Sequence, residues 1–411
     1  MVRFSGDLRF RRRWGGSALF LLLILLLPSP ALYPEPYSSA QGGFYFDLPP
    51  DYRPWTAQGD RLSFRNPQGS VFEITLIPGP GKPEAPLERT ARRLGSGGGL
   101  EKFDYRGREA ALVRLEFEWN GGGNPGGGAG GETGYTGWGL CVDRGEDLLL
   151  ALAYGPRENR QDLLHLSCLD SIAPAGADRY YWGPVTGYAW PRGEERETPL
   201  YGAGVTAMIG AGDAEAAQAL TDREFQILRR FESSPLWQDA WRRFYRMIRR
   251  DSWERLKDAL FRLERRWNAE ALLGRPGTAD GDPAPGDGAG GLSDRELASK
   301  ALAYVQNFRY ERDLMGSDFV NLVSALTEGR GDCDSRALLW SLFLAQANIE
   351  AGIMVSLDYR HAMGIADIEG PGARFPFEGK GYLVAETTAP VELGLIARET
   401  SEIAKWLGVN F

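Results

Sequence analysis

The segment richest in chemistry is Gly329-Arg330-Gly331-Asp332-Cys333-Asp334-Ser335-Arg336-Ala337-Leu338-Leu339-Trp340. Its glycines make a tight turn, and an apolar-periodic helix opens at or just before Cys333, with Leu338, Leu339, Leu342, Phe343 and Ala345 as core anchors. A thiol at a helix N-terminus points at unpaired backbone N–H groups and at the positive end of the dipole. Both favour the thiolate, which is the nucleophilic form. An N–H of the same turn can also stabilise the oxyanion formed when sulfur attacks a carbonyl. Such a cysteine needs a base, and the base needs a partner that orients it. His361 follows 28 positions later in a stretch that reads as a strand edge, Leu357 to Ala366. Glu386 follows 25 positions after that, at the end of a second strand, Gly381 to Ala385, where its carboxylate can accept the other imidazole N–H.

Each residue also has a plainer reading. A lone free cysteine is commonly a buried, inert thiol. His361 taken alone reads as a satisfied structural histidine, and Glu386 as an ordinary surface or capping carboxylate. Their order and spacing favour the chemical reading, and Glu386 is the least constrained of the three.

With Gly331-Asp332-Cys333, Arg360-His361 and Glu386-Thr387-Thr388 in this order, the chain resembles the transglutaminase-like superfamily over about Ser293 to Leu393. The resemblance implies a papain-like core. A thiolate attacks an amide, a thioester forms, and the acyl group passes to water or to an amine. The chain departs from the family pattern in three ways. The acid is Glu where Asp is commoner. Asp332 and Asp334 flank the cysteine, and nearby negative charge opposes thiolate formation. No oxyanion side chain stands out, and the candidate on the preceding helix is Gln306.

The elements that must position these residues begin at Ser293, an N-cap with Glu296 completing a capping box; the helix carries Leu297, Ala301 and Val305 and extends to about Phe308. Residues 293–411 therefore form one folding unit. Residues 274–292, rich in Gly, Pro, Asp and Ala, read as a flexible linker. Before it, 179–273 is an aromatic-rich helical connector. Phe225, Leu228, Phe231, Trp237, Trp241, Phe244, Tyr245 and Ile248 recur at three- and four-residue steps and read as core, while Arg249 and Arg250 read as the solvated face. A membrane-surface role for this basic amphipathic stretch is the competing reading.

Residues 44–175 read as an α/β domain with an antiparallel sheet. Val71 to Leu76 and Ala111 to Trp119 alternate as strands, Pro86 to Leu94 and Arg160 to Ile172 read as helices, and Asn120 to Gly131 is a Gly-rich loop. This layout, closing on Leu166 to Ile172, resembles the PsbP-like domains, which implies a binding or accessory module and no chemistry. The expected class is α+β throughout.

At the N-terminus, Arg11-Arg12-Arg13 precede an apolar run from Ala18 to Leu27 and then small residues, the order a secretory signal needs. Residues 1–31 thus read as a signal peptide or, left uncleaved, as an anchor, since Trp14 to Tyr33 approaches the roughly 20 residues of a spanning helix. The protein is expected in the periplasm or outside the cell. Removing the local +4 of this segment from a total of −8 leaves about −12, an acidic body that excludes a general nucleic-acid binder. The 43% apolar content supports ordinary cores.

Cys141, Cys168 and Cys333 are the only cysteines, and His165 and His361 the only histidines. No zinc-ligand spacing occurs, so neither a metal nor a cofactor is expected. Cys141 and Cys168 form a disulfide or remain two buried thiols, and Cys333 stays odd either way. His165 sits in an amphipathic helix and reads as structural. The transglutaminase-like resemblance implies an amide-bond hydrolase of peptidase type, or an acyl transferase, and together with export it implies a protein or peptide substrate. The alternative is a non-catalytic scaffold that keeps the fold. Oligomeric state is not legible from the sequence.

Overall fold

The computed structural model describes residues 36–39, 42–58, 61–119, 133–191, 193–274, 291–312 and 317–411. The N-terminal signal or anchor segment, the Gly-rich tract and most of the 274–292 linker lie outside the described residues. In chain order the first elements are β1 (Tyr37–Ser38), β2 (Tyr45–Phe46), β3 (Arg53–Gln58), β4 (Arg61–Arg65), β5 (Val71–Pro78) and α1 (Glu84–Leu94). They are followed by β6 (Leu100–Tyr105), β7 (Arg108–Trp119), β8 (Thr133–Asp143), β9 (Asp147–Pro156), α2 (Asp162–Asp170) and α3 (Pro184–Ala189). Then come β10 (Glu195–Pro199), β11 (Thr206–Gly210), α4 (Asp213–Arg229), α5 (Trp237–Gly274) and α6 (Asp294–Gln306). The last group is β12 (Arg309–Tyr310), α7 (Leu322–Glu328), β13 (Arg330–Gly331), α8 (Cys333–Gln346), β14 (Ala351–Ser356), β15 (His361–Ala366), β16 (Arg374–Phe377), β17 (Lys380–Ala385) and β18 (Leu407–Val409). The protein belongs to the mixed α+β class.

Seven antiparallel strands form the first sheet, in the order β3-β4-β5-β9-β8-β7-β6. Period-2 alternation along β5 sends Phe72 and Ile74 to a core with Leu164, Cys168 and Leu169 of α2. Val71 faces the other side, where Leu87 and Ala91 of α1 pack on Val113 and Leu152. Cys141 lies in this second core and Cys168 in the first, and both thiols are free. The disulfide reading of this pair is therefore corrected: the sheet itself stands between the two sulfurs. Burial pushes both thiols up to about 12.

The helical stretch is broken once, after α4, and resumes as α5 past Ser234 and Pro235. The arginines in the first half of α5 do not form a solvated face, whereas Arg265 and Arg266 near its end are exposed. Arg243 is 3% exposed, with Nη1 2.7 Å from Glu224 Oε2 and Nε donating to the Asp47 carbonyl. Arg250, also buried, donates to the carbonyls of Asp170, Ser171 and Ile172 at 2.9–3.0 Å. Those carbonyls close the C-terminus of α2, where the helix has no internal donors left, so a guanidinium is the natural cap. The basic stripe reads as surface from spacing alone; it is buried because the first domain supplies acceptors for it.

The opposite, aromatic stripe of α5 enters the C-terminal core. Phe244, Tyr245, Ile248, Leu256, Leu260, Leu263 and Trp267 belong to one cluster with α6, α7, α8 and the second sheet. That sheet has the order β16-β17-β15-β14-β18, all antiparallel. Helix α8 crosses its inner face and is almost wholly buried. Leu338, Leu339, Leu342 and Leu344 are each fully sequestered, at roughly 1.5–3 kcal/mol apiece, which fixes where the first residue of the helix, Cys333, must lie. Trp340 is also fully buried and donates from Nε1 to the Ala298 carbonyl of α6 at 3.0 Å. Among the described residues no helix is long and apolar enough to cross a membrane.

Candidate active site

Cys333 is the first residue of α8. Asp332 is its N-cap, with an extended backbone (φ −81°, ψ −173°) and a carboxylate that accepts from the Ser335 N–H at 2.8 Å. A Cβ on the preceding Gly331 would lie 2.6 Å from Ser335 Oγ, so a larger residue there would have to displace that hydroxyl from its bond to the Asp332 carboxylate. Beneath the turn, buried Arg336 donates from Nε to the Gly331 carbonyl at 3.1 Å, and from Nη2 to the Phe308 carbonyl. The turn is thus fixed on both sides, and the sulfur it carries is only 8% exposed as a residue.

His361 opens β15, and Glu386 follows directly on β17. The register pairs Gly364 with Ala385 and Ile365 with Val384, so continuation past the last pair places Glu386 opposite Met363 and diagonal to His361 on one face. The two side chains meet: His361 Nε2 is 2.8 Å from Glu386 Oε2. The other carboxylate oxygen, Oε1, accepts from the Thr388 N–H at 2.8 Å and from the Thr388 hydroxyl at 2.6 Å. Burial raises Glu386, but the His361 and Thr388 hydrogen bonds outweigh it, and the net direction is down. With Nε2 committed to Glu386, Nδ1 is the nitrogen left for proton transfer. The edge of Trp406 closes the other side of the imidazole, with ring centroids 6.2 Å apart.

Among the described residues the Cys333 sulfur makes no hydrogen bond to His361 or Glu386, and its link to their strand is through the backbone beside His361. The N–H groups of Ala362, the residue after His361, and of Asp334 both approach Cys333 and favour its thiolate. Against them stand burial, which acts most strongly, and then Asp334 and Asp332, and the net direction of the thiol is up. Asp334 Oδ1 lies 4.0 Å from the sulfur. Asp332 is itself raised to about 7, by burial first and by Asp334 second.

Gln306 has its amide nitrogen 2.8 Å from the Glu386 carbonyl and 2.9 Å from the Val391 carbonyl. Both its N–H groups are therefore spent on holding the segment that carries Glu386. Tyr245 of α5 is a neighbour the sequence reading did not include in the site. It is fully buried, and its hydroxyl faces the Asp334 carboxylate and Cys333. Burial and then Asp334 hold that hydroxyl well above its ordinary pKa, so it remains a proton donor. Its one sequence signal was its place in the aromatic stripe, which reads equally well as core.

No family model and no curated protein matches the sequence. Among solved structures, the chain is similar to a crystal structure from Bacteroides thetaiotaomicron VPI-5482 at 11% identity and TM-score 0.23, covering 53% of this chain and 76% of that one. It is also similar to the Saccharomyces cerevisiae Ran-binding protein Mog1p at 8% identity and TM-score 0.25, covering 35% of this chain and 96% of that one. A point mutant of Mog1 has 9% identity and TM-score 0.24, covering 34% and 95%. TM-scores at this level carry no argument about fold or function.

Proposed function

We propose that the C-terminal unit is a transglutaminase-like cysteine enzyme that cleaves or transfers at an amide bond, with Cys333 as nucleophile, His361 as base and Glu386 as its orienting carboxylate. The observation that supports it is the 2.8 Å His361–Glu386 bond at the strand end where the Ala362 N–H approaches the Cys333 sulfur. In the proposed sequence His361 Nδ1 takes the thiol proton as sulfur bonds to the carbonyl carbon. The oxyanion collapses, the C–N bond breaks, and the amine leaves with the proton returned by the imidazolium. Water, deprotonated by the same imidazole, then splits the thioester to an acid and the free thiol; an amine in place of water would give transfer. The order of basic, apolar and small residues in 1–31 supports an exported protein acting on a protein or peptide.

The second reading, a scaffold that keeps this fold without turnover, is favoured by one observation: burial and two flanking carboxylates push the Cys333 thiol up. The pH dependence of iodoacetamide alkylation at Cys333, with and without His361→Ala, separates the two. Labelling well below the free-thiol value of about 8.5, slowed by the substitution, is the enzyme outcome. Labelling only above that value, or only on unfolding, leaves the scaffold.

A further inference from the structure

Helix α1 packs over β6, β7 and β8, and the β4-β5-β9 half of the same sheet face is only partly covered. There a cavity of about 490 Å³ opens, within the range of about 300–1,000 Å³ usual for small-molecule sites. Its floor is aliphatic, formed by Ile77, Leu150, Leu152 and Pro86, with Thr75 and Thr90 among the lining residues.

The charge at its mouth is unbalanced. Glu73 is answered by Arg61, and the Tyr154 hydroxyl donates to it at 3.1 Å. Arg89 and Arg93, four residues apart on one face of α1, line the same cavity and have no acidic partner among the described residues. Their neighbour Arg92, by contrast, pairs with Glu88. Like charges at this spacing repel unless an anion sits between them.

We propose that this cavity binds a single-chain anionic amphiphile, its head group held by Arg89 and Arg93 and its tail laid on Ile77, Leu150 and Leu152. Two arginines on one helix face give charge-assisted hydrogen bonds to a carboxylate or a phosphate, and a floor without aromatic rings suits an alkyl chain. The proposal is independent of the chemistry at Cys333.

The test is isothermal titration of the full chain with dodecanoate and dodecyl phosphate below their micelle concentrations. Dodecyl maltoside serves as a neutral tail, and acetate and inorganic phosphate as bare heads. Saturable one-to-one binding of an anionic amphiphile, with neither the neutral tail nor a bare head matching it, supports the site. Preference for dodecanoate assigns a fatty acid, and preference for dodecyl phosphate a phosphate-headed lipid. The Arg89→Glu/Arg93→Glu variant, with its melting temperature unchanged, is expected to bind about tenfold more weakly. Equal binding of the neutral tail, equal binding of a bare head, wild-type affinity in that variant, or no binding by either amphiphile overturns the proposal.

Discussion

The Trp340 ring occupies the space that a Cβ on Gly364 would need: that atom would stand 2.3 Å from Cε3 and 2.6 Å from Cζ3. Gly364 lies midway along β15, and Trp340 lies two turns into α8. This contact seats the helix on the strand, and the strand begins with His361 while the helix begins with Cys333. Residues seven and three positions away thereby set the relation between a sulfur and the base proposed for it.

Gly364→Ala should therefore act at a distance. The added methyl meets a fully buried ring, and overpacking of this kind costs about 1–3 kcal/mol. Urea unfolding is expected to give a lowered midpoint. Cys333 alkylation is expected to change with it, because α8 must shift. A variant with wild-type stability and wild-type thiol reactivity would refute this reading of the contact.

Glu386→Gln keeps the shape of the side chain and removes its charge. If the carboxylate orients His361 and stabilises its protonated form, alkylation of Cys333 near neutral pH should slow by about 10²-fold while the melting temperature holds. Unchanged labelling would mean that the pair does not act on the sulfur.

His165 is buried, 3.1 Å from Ser70 Oγ, and its Nδ1 has no partner among the described residues. Burial, and then Arg230, lowers it to about 3 in the folded protein. The unfolded chain titrates near 6.5. Above that both states are neutral and the stability is fully present. As the pH falls the unfolded state takes the proton first, and stability is lost progressively down to about pH 3, by about 2 kcal/mol at pH 5. His165→Gln should flatten this part of the profile, measured by urea midpoints at pH 7.5 and pH 5. Equal losses in variant and wild type would show that acid acts elsewhere.

Arg243→Met removes the cation buried against Glu224 and strands acceptors at Asp47 and Ser167. Breaking one partner of a buried pair costs about 3–5 kcal/mol, less here to the extent that Arg223 still reaches Glu224. Adding Glu224→Gln should restore part of the loss in a double-mutant cycle. Strictly additive losses would mean the pair is not coupled.

The elements around the candidate site were legible because their signals are local. Ser293 and Glu296 form the capping box their spacing announces. The Gly-x-Cys turn opens a helix at Cys333, His361 starts a strand, and Glu386 follows directly on its neighbour. What local pattern could not carry was partnership across the chain. Arg243 and Arg250 look like surface residues until Glu224 and the end of α2 are brought to them. Gln306 looks available until the Glu386 and Val391 carbonyls take its amide. Tyr245 belongs to the site because α5 passes behind Cys333, a path that no periodicity encodes. The separation of Cys141 from Cys168 likewise follows from which sheet face each side chain takes.

Helix α5 gives one flank to each half of the molecule: the guanidinium groups of Arg243 and Arg250 to the first sheet's side and its aromatic rings to the second core. A spine shared in this way leaves no natural place to cut. Residues 293–411 expressed alone would present to water the aliphatic wall that Leu256, Leu260 and Leu263 now cover, and the first half alone would keep the uncapped end of α2. Heating should register this as one calorimetric peak rather than two, because neither half can melt while the other holds the helix.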